Sequence, residues 1–85
     1  MNTYKAQIKI TLRKGILDVQ GKAVEQALHS MDYDIMENVR IGKYVELDIT
    51  AQNDGQAEEF VKEACNKIIA NPIVEDYEIT IVEKV

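Results

Sequence analysis

The sequence has only one cysteine and one histidine in 85 residues, and it has no long hydrophobic run. A single cysteine cannot form a disulfide within the chain, which is consistent with a reducing compartment. No apolar stretch approaches the roughly 20 residues that a membrane-spanning helix needs. The segment 1–13 alternates between apolar and polar residues, so it is not a secretion signal. We therefore expect a cytoplasmic protein with no membrane partner.

The charge balance argues against a second class of partner. Fifteen acidic side chains against ten basic ones give a formal net charge of −5, and such a chain is repelled by phosphate backbones. Nucleic acid is therefore not an expected partner.

The length predicts a single domain, residues 1–85, which buries only about 60–70% of the surface of its unfolded chain. We expect a homo-oligomer, a dimer or tetramer, that adds apolar burial.

The residue types that usually carry catalysis or bind metals are isolated from one another. His29 has no second histidine and no nucleophile near it, so it is interpreted as a helix-end histidine. Cys65 lies within an apolar helical pattern and is interpreted as a small packing residue. Asp32 and Asp34 lack the glycine and the distal glutamate of a calcium loop. Since the phosphate-binding motifs GxGxxG and GxxxxGK[ST] are also missing, we predict no catalytic, metal-binding or cofactor-binding residue.

The first half of the chain predicts a strand followed by a helix. Apolar residues alternate with polar ones along the first segment, which indicates a strand with one apolar face: Tyr4, Ala6, Ile8, Ile10 and Leu12. From about Asp18 to Met31 the apolar residues recur at helical spacing, at Val24, Ala27, Leu28 and Met31. Asp18 is the predicted N-cap of this helix.

The second half repeats the pattern. Asp54 is the predicted N-cap of a second helix, and Pro72 is expected to stop it at Asn71. Its predicted buried stripe consists of Ala57, Phe60, Val61, Ala64 and Ile68. Tyr77, Ile79 and Ile81 then alternate with polar residues in a last strand. We expect both helix stripes to be core, so that Leu28→Ala or Phe60→Ala costs roughly 2–5 kcal/mol.

The middle strand region allows two interpretations. Its apolar residues all fall on odd positions, on both sides of Gly42 and Lys43: Val39, Ile41, Val45, Leu47 and Ile49. A two-residue hairpin would break this phase. Either one long strand bends or bulges at Gly42, or a three-residue turn at Gly42 to Tyr44 pairs Ile41 with Val45 and preserves the phase. Lys43 falls on the apolar side, so either a turn brings its charge to water or its stem delivers the charge to a neighbouring chain.

These elements predict an α+β fold. The predicted architecture is a two-layer sandwich in which two helices cover one face of an antiparallel sheet of three or four strands, in the order β-α-β(β)-α-β. The other face of the sheet is polar, with Lys5 and Lys9 on the first strand and Glu46 and Asp48 on the middle one. It is either a solvated face with cross-strand ion pairs or a docking face for another chain.

Three blocks of the sequence resemble one family. They are the D-x-Q-G helix start at Asp18, Gln20 and Gly21 that runs into AVEQALHSM, the block VRIGKYVEL of Val39–Leu47, and the segment ANPIVEDYEI of Ala70–Ile79. Together they resemble PurS, the small non-catalytic subunit of phosphoribosylformylglycinamidine synthase. The chain departs from the family pattern at Val19, where proline is common.

The resemblance implies an assembly role in purine biosynthesis. A PurS-like chain would bridge a glutaminase subunit, PurQ, and an ATP-dependent synthetase subunit, PurL. Ammonia from glutamine then converts formylglycinamide ribonucleotide to formylglycinamidine ribonucleotide, with ATP and magnesium used by the complex and not bound by this chain. The resemblance also implies homo-oligomers joined through their sheets. The alternative is a small-molecule-sensing regulatory domain of the ACT-like or ferredoxin-like kind, because its elements follow the same order.

One segment is the candidate partner interface. Arg40, Gly42, Lys43 and Tyr44 place two cations and an aromatic ring beside a glycine, a composition suited to an interface anchor. An ordinary polar turn is the simpler alternative.

Overall fold

The fold is a three-stranded antiparallel sheet with its first strand at the centre. The computed structural model describes residues 1–84. The elements are β1 (Asn2–Leu12), α1 (Val19–Ser30), β2 (Gly42–Ala51), α2 (Asp54–Ala64), a π-helical turn at Cys65–Ile69 and β3 (Glu75–Glu83). The strand order is β2-β1-β3. The α+β class, the antiparallel sheet and the order β-α-β-α-β are therefore confirmed, with three strands.

The core lies between one face of the sheet and α2. The alternating residues Tyr4, Ala6, Ile8 and Ile10 of β1 are buried as predicted, whereas Leu12 is only half-buried. Ile8 pairs with Val45 of β2 on one side and with Ile79 of β3 on the other. α2 presents Ala57 and Val61 to this face, and the π-helical turn that follows adds Cys65. Because β1 forms pairs on both sides, its apolar residues become the centre of the core.

The second helix differs from its prediction at both ends. Its N-cap is Asn53 rather than Asp54, since the Asn53 side-chain oxygen accepts the Gln56 N–H at 2.8 Å. The helix ends at Ile69 rather than at Asn71, in a π-helical turn where the Ala70 N–H donates to the Cys65 carbonyl.

The predicted buried stripe of α2 is partly wrong. Phe60 is 49% exposed and Ile68 is 83% exposed, whereas Cys65 is fully buried. The wider π-helical turn changes the phase of the helix, so Ile69 rather than Ile68 packs against the core. Phe60 lies one residue before the buried Val61 and therefore on the flank of the helix.

Neither interpretation of the middle region is correct. β2 is a single strand that begins at Gly42, without a hairpin and without a bend inside it. The residues before it are held by side chains instead of by strand pairing: Glu25 accepts the Val39 N–H at 3.1 Å, and Asp18 accepts the Ile41 N–H at 2.8 Å. The odd-position pattern therefore continues beyond the strand.

The first helix begins where it was predicted but does not pack where it was predicted. Asp18 is the N-cap, and its side chain accepts the Gly21 N–H at 2.8 Å. Val24 is 37% exposed and Met31 is 65% exposed, and Leu28 is only half-buried. Within residues 1–84, α2 packs against all three strands whereas α1 packs against none to a comparable extent. The expectation that both helices cover one face of the sheet is therefore wrong for α1 in the single chain.

Candidate partner-binding surface

The candidate residues lie at the end of the sheet where β1 finishes and the other two strands begin. In the strand register Gly42 is opposite Thr11, and Glu75 is opposite Leu12. The segment 40–44 and the start of β3, which lies 31 residues after Tyr44, are therefore at the same end of the sheet, on either side of β1.

Gly42, the first residue of β2, lies very close to the backbone of β1. A Cβ built at this position would lie 2.4 Å from the carbonyl oxygen of Ile10 and 2.9 Å from Cγ2 of Thr11. A backbone atom cannot move away as a flexible side chain can. Glycine is therefore required by packing at this point of the candidate segment.

Two arginine side chains form hydrogen bonds at the end of the central strand. The Arg40 guanidinium donates to the carbonyl oxygen of Leu12. The Arg13 guanidinium donates to the Pro72 carbonyl and lies 3.4 Å from the Asp76 carboxylate. Both cations are exposed, so each retains donors that face solvent.

Lys43 is paired within its own chain. Its Nζ lies 3.4 Å from Oε2 of Glu75, while Oε1 of Glu75 accepts the Asn71 N–H at 2.7 Å. That backbone hydrogen bond, and then Lys43, lower the pKa of Glu75. In the single chain the Lys43 charge therefore reaches the opposite edge strand of the same sheet, and its side chain stays 60% exposed. A contact of Lys43 with a neighbouring chain stays a prediction.

Glu75 is the residue that sequence reasoning missed. The signal was present, because Glu75 shares its odd position with Tyr77, Ile79 and Ile81 and so falls on the apolar face of β3. Lys43 is the corresponding exception on β2. Two opposite charges out of phase on two strands indicate a pair across the sheet.

Tyr44 lies on the other face of the sheet. Its hydroxyl donates to Oε2 of Glu46 at 2.8 Å, and this hydrogen bond raises the pKa of Tyr44. Lys5 lies 4.0 Å from Glu46, and Lys84 lies 3.0 Å from Asp48. The cross-strand ion pairs expected on this face are therefore present. The four candidate residues do not share one face of the sheet, because Lys43 lies on the apolar face and Tyr44 on the polar face.

The first helix is fixed to this same end of the sheet. Asp18 accepts N–H groups from Gly21 and Ile41, and these two hydrogen bonds lower its pKa. A Cβ at Gly21 would lie 2.4 Å from the Val39 carbonyl oxygen, so the first turn of α1 lies directly on the segment before β2. Helix α1 is thus attached by polar contacts at its start and leaves its apolar residues open.

His29 and Cys65 each have contacts or burial that explain them without a catalytic role. Nε2 of His29 lies 2.8 Å from the carbonyl oxygen of Met36, in the last turn of α1. Cys65 is buried, and burial raises the pKa of its thiol. Among residues 1–84, no three histidine, cysteine or acidic side chains converge in a way that suits a metal ion. Within the same range, neither helix combines the length and the apolar composition of a membrane-crossing segment.

Comparisons with known proteins identify the relatives of this chain. Residues 5–83 match the family described as PurS: Phosphoribosylformylglycinamidine (FGAM) synthase. The phosphoribosylformylglycinamidine synthase subunit PurS of Bacillus subtilis is 45% identical over 82 residues, which is 96% of both chains. The PurS subunit of Methanocaldococcus jannaschii is 35% identical over 96% of this chain and 98% of its own.

Solved structures agree with these matches. A crystal structure of Bacillus subtilis PurS has a TM-score of 0.80 at 44% identity, and covers 92% of this chain and 96% of that chain. A chain in the structure of PurLQS from Thermotoga maritima has a TM-score of 0.87 at 32% identity, over 99% of this chain and all of that one.

Proposed function

The chain belongs to the PurS family, and from this premise we propose that it is the small assembly subunit of a phosphoribosylformylglycinamidine synthase complex. In this proposal it bridges the glutaminase PurQ and the synthetase PurL in purine biosynthesis. The two enzymes then stay close enough for ammonia released from glutamine to reach the synthetase. There it converts formylglycinamide ribonucleotide to formylglycinamidine ribonucleotide, with ATP and magnesium used by the complex.

The observation that supports this function most strongly is the match to a chain of the Thermotoga maritima PurLQS structure over nearly the whole length of both chains. A likeness in fold alone would also fit a small-molecule-sensing domain. The family match over residues 5–83 and the 45% identity to a named PurS subunit favour the assembly role instead. We infer that the complex operates in the cytoplasm.

Its contribution in this role is to position other subunits. The surface offers strand edges, an attached helix with open apolar residues and a sheet end closed by two arginines. Holding two reactants or two active sites in a fixed relation lowers the entropic cost of their encounter, and this benefit needs no chemical group on the scaffold.

Co-expression with a PurQ and a PurL tests the proposal. We expect the three chains to elute together in size-exclusion chromatography with glutamine and nucleotide. Omission of this chain should abolish or greatly reduce glutamine-dependent synthesis, and should spare much of the activity when ammonia is supplied at high concentration. Full glutamine-dependent activity from the two large subunits alone would refute the assembly role.

An equal loss of activity with glutamine and with ammonia would have a different meaning. It would show that the chain also shapes the synthetase active site, because a pure bridge matters only when the ammonia comes from the other subunit. The two nitrogen sources should therefore be assayed on the same preparation, with and without this chain.

We further propose that the sheet end with Arg40, Gly42 and Lys43 contacts one of the two larger subunits. Exposed cations at the rim of an interface mainly steer association. Lys43→Gln should therefore weaken the complex about 10-fold and reduce its salt dependence. Glutamine is the better replacement because Lys43→Glu would place a second carboxylate beside Glu75.

Lys67→Gln is the matched control for this test. Lys67 is also an exposed lysine in an ion pair within the chain, with Glu63 at 2.8 Å, but it lies on the π-helical turn after α2. If Lys43→Gln and Lys67→Gln weaken the complex equally, or if neither does, the sheet end is not a specific contact.

A further inference from the structure

The loop that follows α1, residues 31–36, exposes a cluster of large apolar side chains. They are Met31 at 65%, Tyr33 at 46%, Ile35 at 92% and Met36 at 44% exposure. Single apolar side chains on a surface are ordinary, but a group of them in one short loop is typical of a protein–protein contact. The 31–36 loop is therefore a candidate contact that the fold itself does not use.

The start of the 31–36 loop has a fixed backbone. The Asp32 N–H donates to the His29 carbonyl at 3.2 Å, and the Tyr33 N–H donates to the Leu28 carbonyl at 2.9 Å. This pair of hydrogen bonds is the Schellman motif, which ends many helices with one residue in the left-handed conformation. Asp32 is that residue, with a φ of 70°. The loop therefore leaves the helix in a defined direction.

The far end of the 31–36 loop is held by a side chain. The Met36 N–H donates to the Tyr33 carbonyl at 3.1 Å, and Nε2 of His29 lies 2.8 Å from the Met36 carbonyl oxygen. Both ends of the loop are thus attached to the last turn of α1. A segment that is already held in one conformation loses little conformational entropy when it binds. The apolar side chains of the loop are therefore presented in a preformed arrangement.

The charges around these apolar side chains are all negative. Asp32, Asp34 and Glu37 are exposed, and the segment 31–39 contains no basic residue. Charges at the rim of an interface are usually complementary to those of the partner. The surface that receives the 31–36 loop should therefore be an apolar pocket with a basic rim.

The main cavities of the chain itself do not have this chemistry. Within residues 1–84, the two main cavities are predominantly polar, and each is lined by two carboxylates: Asp54 and Glu83 in one, Glu46 and Asp48 in the other. These carboxylates would repel the acidic residues of the 31–36 loop. The pocket that receives the loop therefore belongs to a different protein.

We propose that the 31–36 loop inserts Ile35 and its apolar neighbours into an apolar pocket with a basic rim on one of the two larger subunits. This inference rests on the assembly role proposed above. The loop is separate from the sheet end, because α1 begins there and its 12 residues span about 18 Å. A chain that bridges two proteins needs two separate contacts, and the loop supplies one that differs in chemistry from the cationic sheet end.

The affinity of the chain for PurQ and PurL, measured with glutamine and nucleotide present, tests the proposal. Ile35→Ser should weaken binding about 30-fold, as loss of an interface anchor does. Ile35 is 92% exposed, so the substitution removes almost no contact within the chain. Ile68→Ser is the matched control, because Ile68 is 83% exposed on the π-helical turn, and it should bind as the original chain does. Equal affinities of the two variants would overturn the proposal.

The association rate tests the basic rim. A double variant, Asp34→Asn with Glu37→Gln, should associate about 3- to 10-fold more slowly at low salt and with a weaker dependence on salt. Glu58→Gln with Glu59→Gln removes the same charge from the exposed side of α2 and should change the rate much less. Equal rates for the two double variants would mean that the pocket has no basic rim, contrary to the proposal.

Two comparisons separate this proposal from its alternatives. Sedimentation equilibrium of the chain alone should give the same result for Ile35→Ser and for the original chain, and a difference would place the loop between copies of the chain and overturn the proposal. If the original chain binds PurQ and PurL and Ile35→Ser binds equally well, the loop contact is wrong and the assembly role stands. If the original chain does not bind them, both are wrong.

Discussion

The two helices of this chain look alike in sequence and differ in what they contact. α1 has 12 residues and α2 has 11, both have a side-chain N-cap, and both carry an apolar stripe. α2 buries Ala57 and Val61 against its own sheet, whereas Gly21 is the one buried residue of α1. An apolar stripe therefore predicts that a helix will be covered, and it does not predict that the covering surface belongs to the same chain.

The largest expected effect is on folding, when an aspartate is placed in the apolar stripe of α2 and, for comparison, in that of α1. Val61→Asp should prevent folding, because Val61 is 1% exposed and an unpaired buried carboxylate costs several kcal/mol, comparable to the stability of a small domain. Val24→Asp on α1 should leave a folded chain, because Val24 is 37% exposed. Circular dichroism measures this contrast. An unfolded Val24→Asp variant at low concentration would mean that α1 is core in the single chain.

The glycines in the first turn of each helix should give a smaller contrast. Gly21→Ala would place Cβ 2.4 Å from a backbone oxygen of Val39, and we expect a loss of about 1–3 kcal/mol from the resulting shift of α1. Gly55→Ala meets only the Asn53 side chain, at 3.3 Å, and should leave stability unchanged or raise it by up to about 1 kcal/mol, because alanine is the better helix former. Urea denaturation measures both. Equal effects would contradict the close contact between α1 and the segment before β2.

The two N-caps should differ in the same direction. Asn53→Ala removes one cap and should cost about 1 kcal/mol. Asp18→Ala should cost more, because Asp18 also accepts the Ile41 N–H and joins the helix to the start of β2. The comparison uses denaturation midpoints at neutral pH. If Asn53→Ala lowered stability more than Asp18→Ala, the hydrogen bond from Ile41 to Asp18 would contribute nothing to stability.

The smallest expected contrast is that the hydrogen bonds of the Asp18 cap depend on pH, whereas those of the Asn53 cap do not. The pKa of Asp18 is lowered in the folded chain from its ordinary value of 3.8, so its contribution is present above that value and is lost as the pH falls through the folded pKa. The amide of Ile41 should therefore lose protection from hydrogen exchange in acid, relative to the amide of Gln56. The latter is capped by the non-titrating Asn53. Parallel loss at both amides would indicate general acid unfolding instead.

Sequence reasoning predicted the elements that depend on local patterns. The alternation in β1, the N-cap at Asp18 and the buried Ala57 and Val61 follow from periods of two and 3.6 residues and from capping chemistry. These features need only the residues next to one another. The helix phase after Cys65 could not be predicted, because the π-helical turn changes it without a signal in composition.

The features that were missed depend on residues far apart in the chain. Val39 and Ile41 continue the phase of β2, yet they lie outside it because carboxylates of α1 bind their N–H groups. The partner of Lys43 is Glu75 on the opposite edge strand, and α1 is held by polar contacts with the segment before β2 rather than by packing on the sheet. Family resemblance predicted an assembly role, but it did not show which of the candidate residues lie together.

The central position of β1 has a consequence for how the chain folds. β1 residue Tyr4 pairs with Glu83, and Leu12 pairs with Glu75, so every β1–β3 pair closes a loop of more than 60 residues. Structures dominated by such distant pairings fold slowly, since the entropy of closing the loop is lost before the contacts are gained. Until β3 arrives, β1 presents an unpaired edge to any neighbouring chain. We therefore expect refolding in milliseconds to seconds rather than microseconds, with aggregation that increases as the protein concentration during refolding is raised.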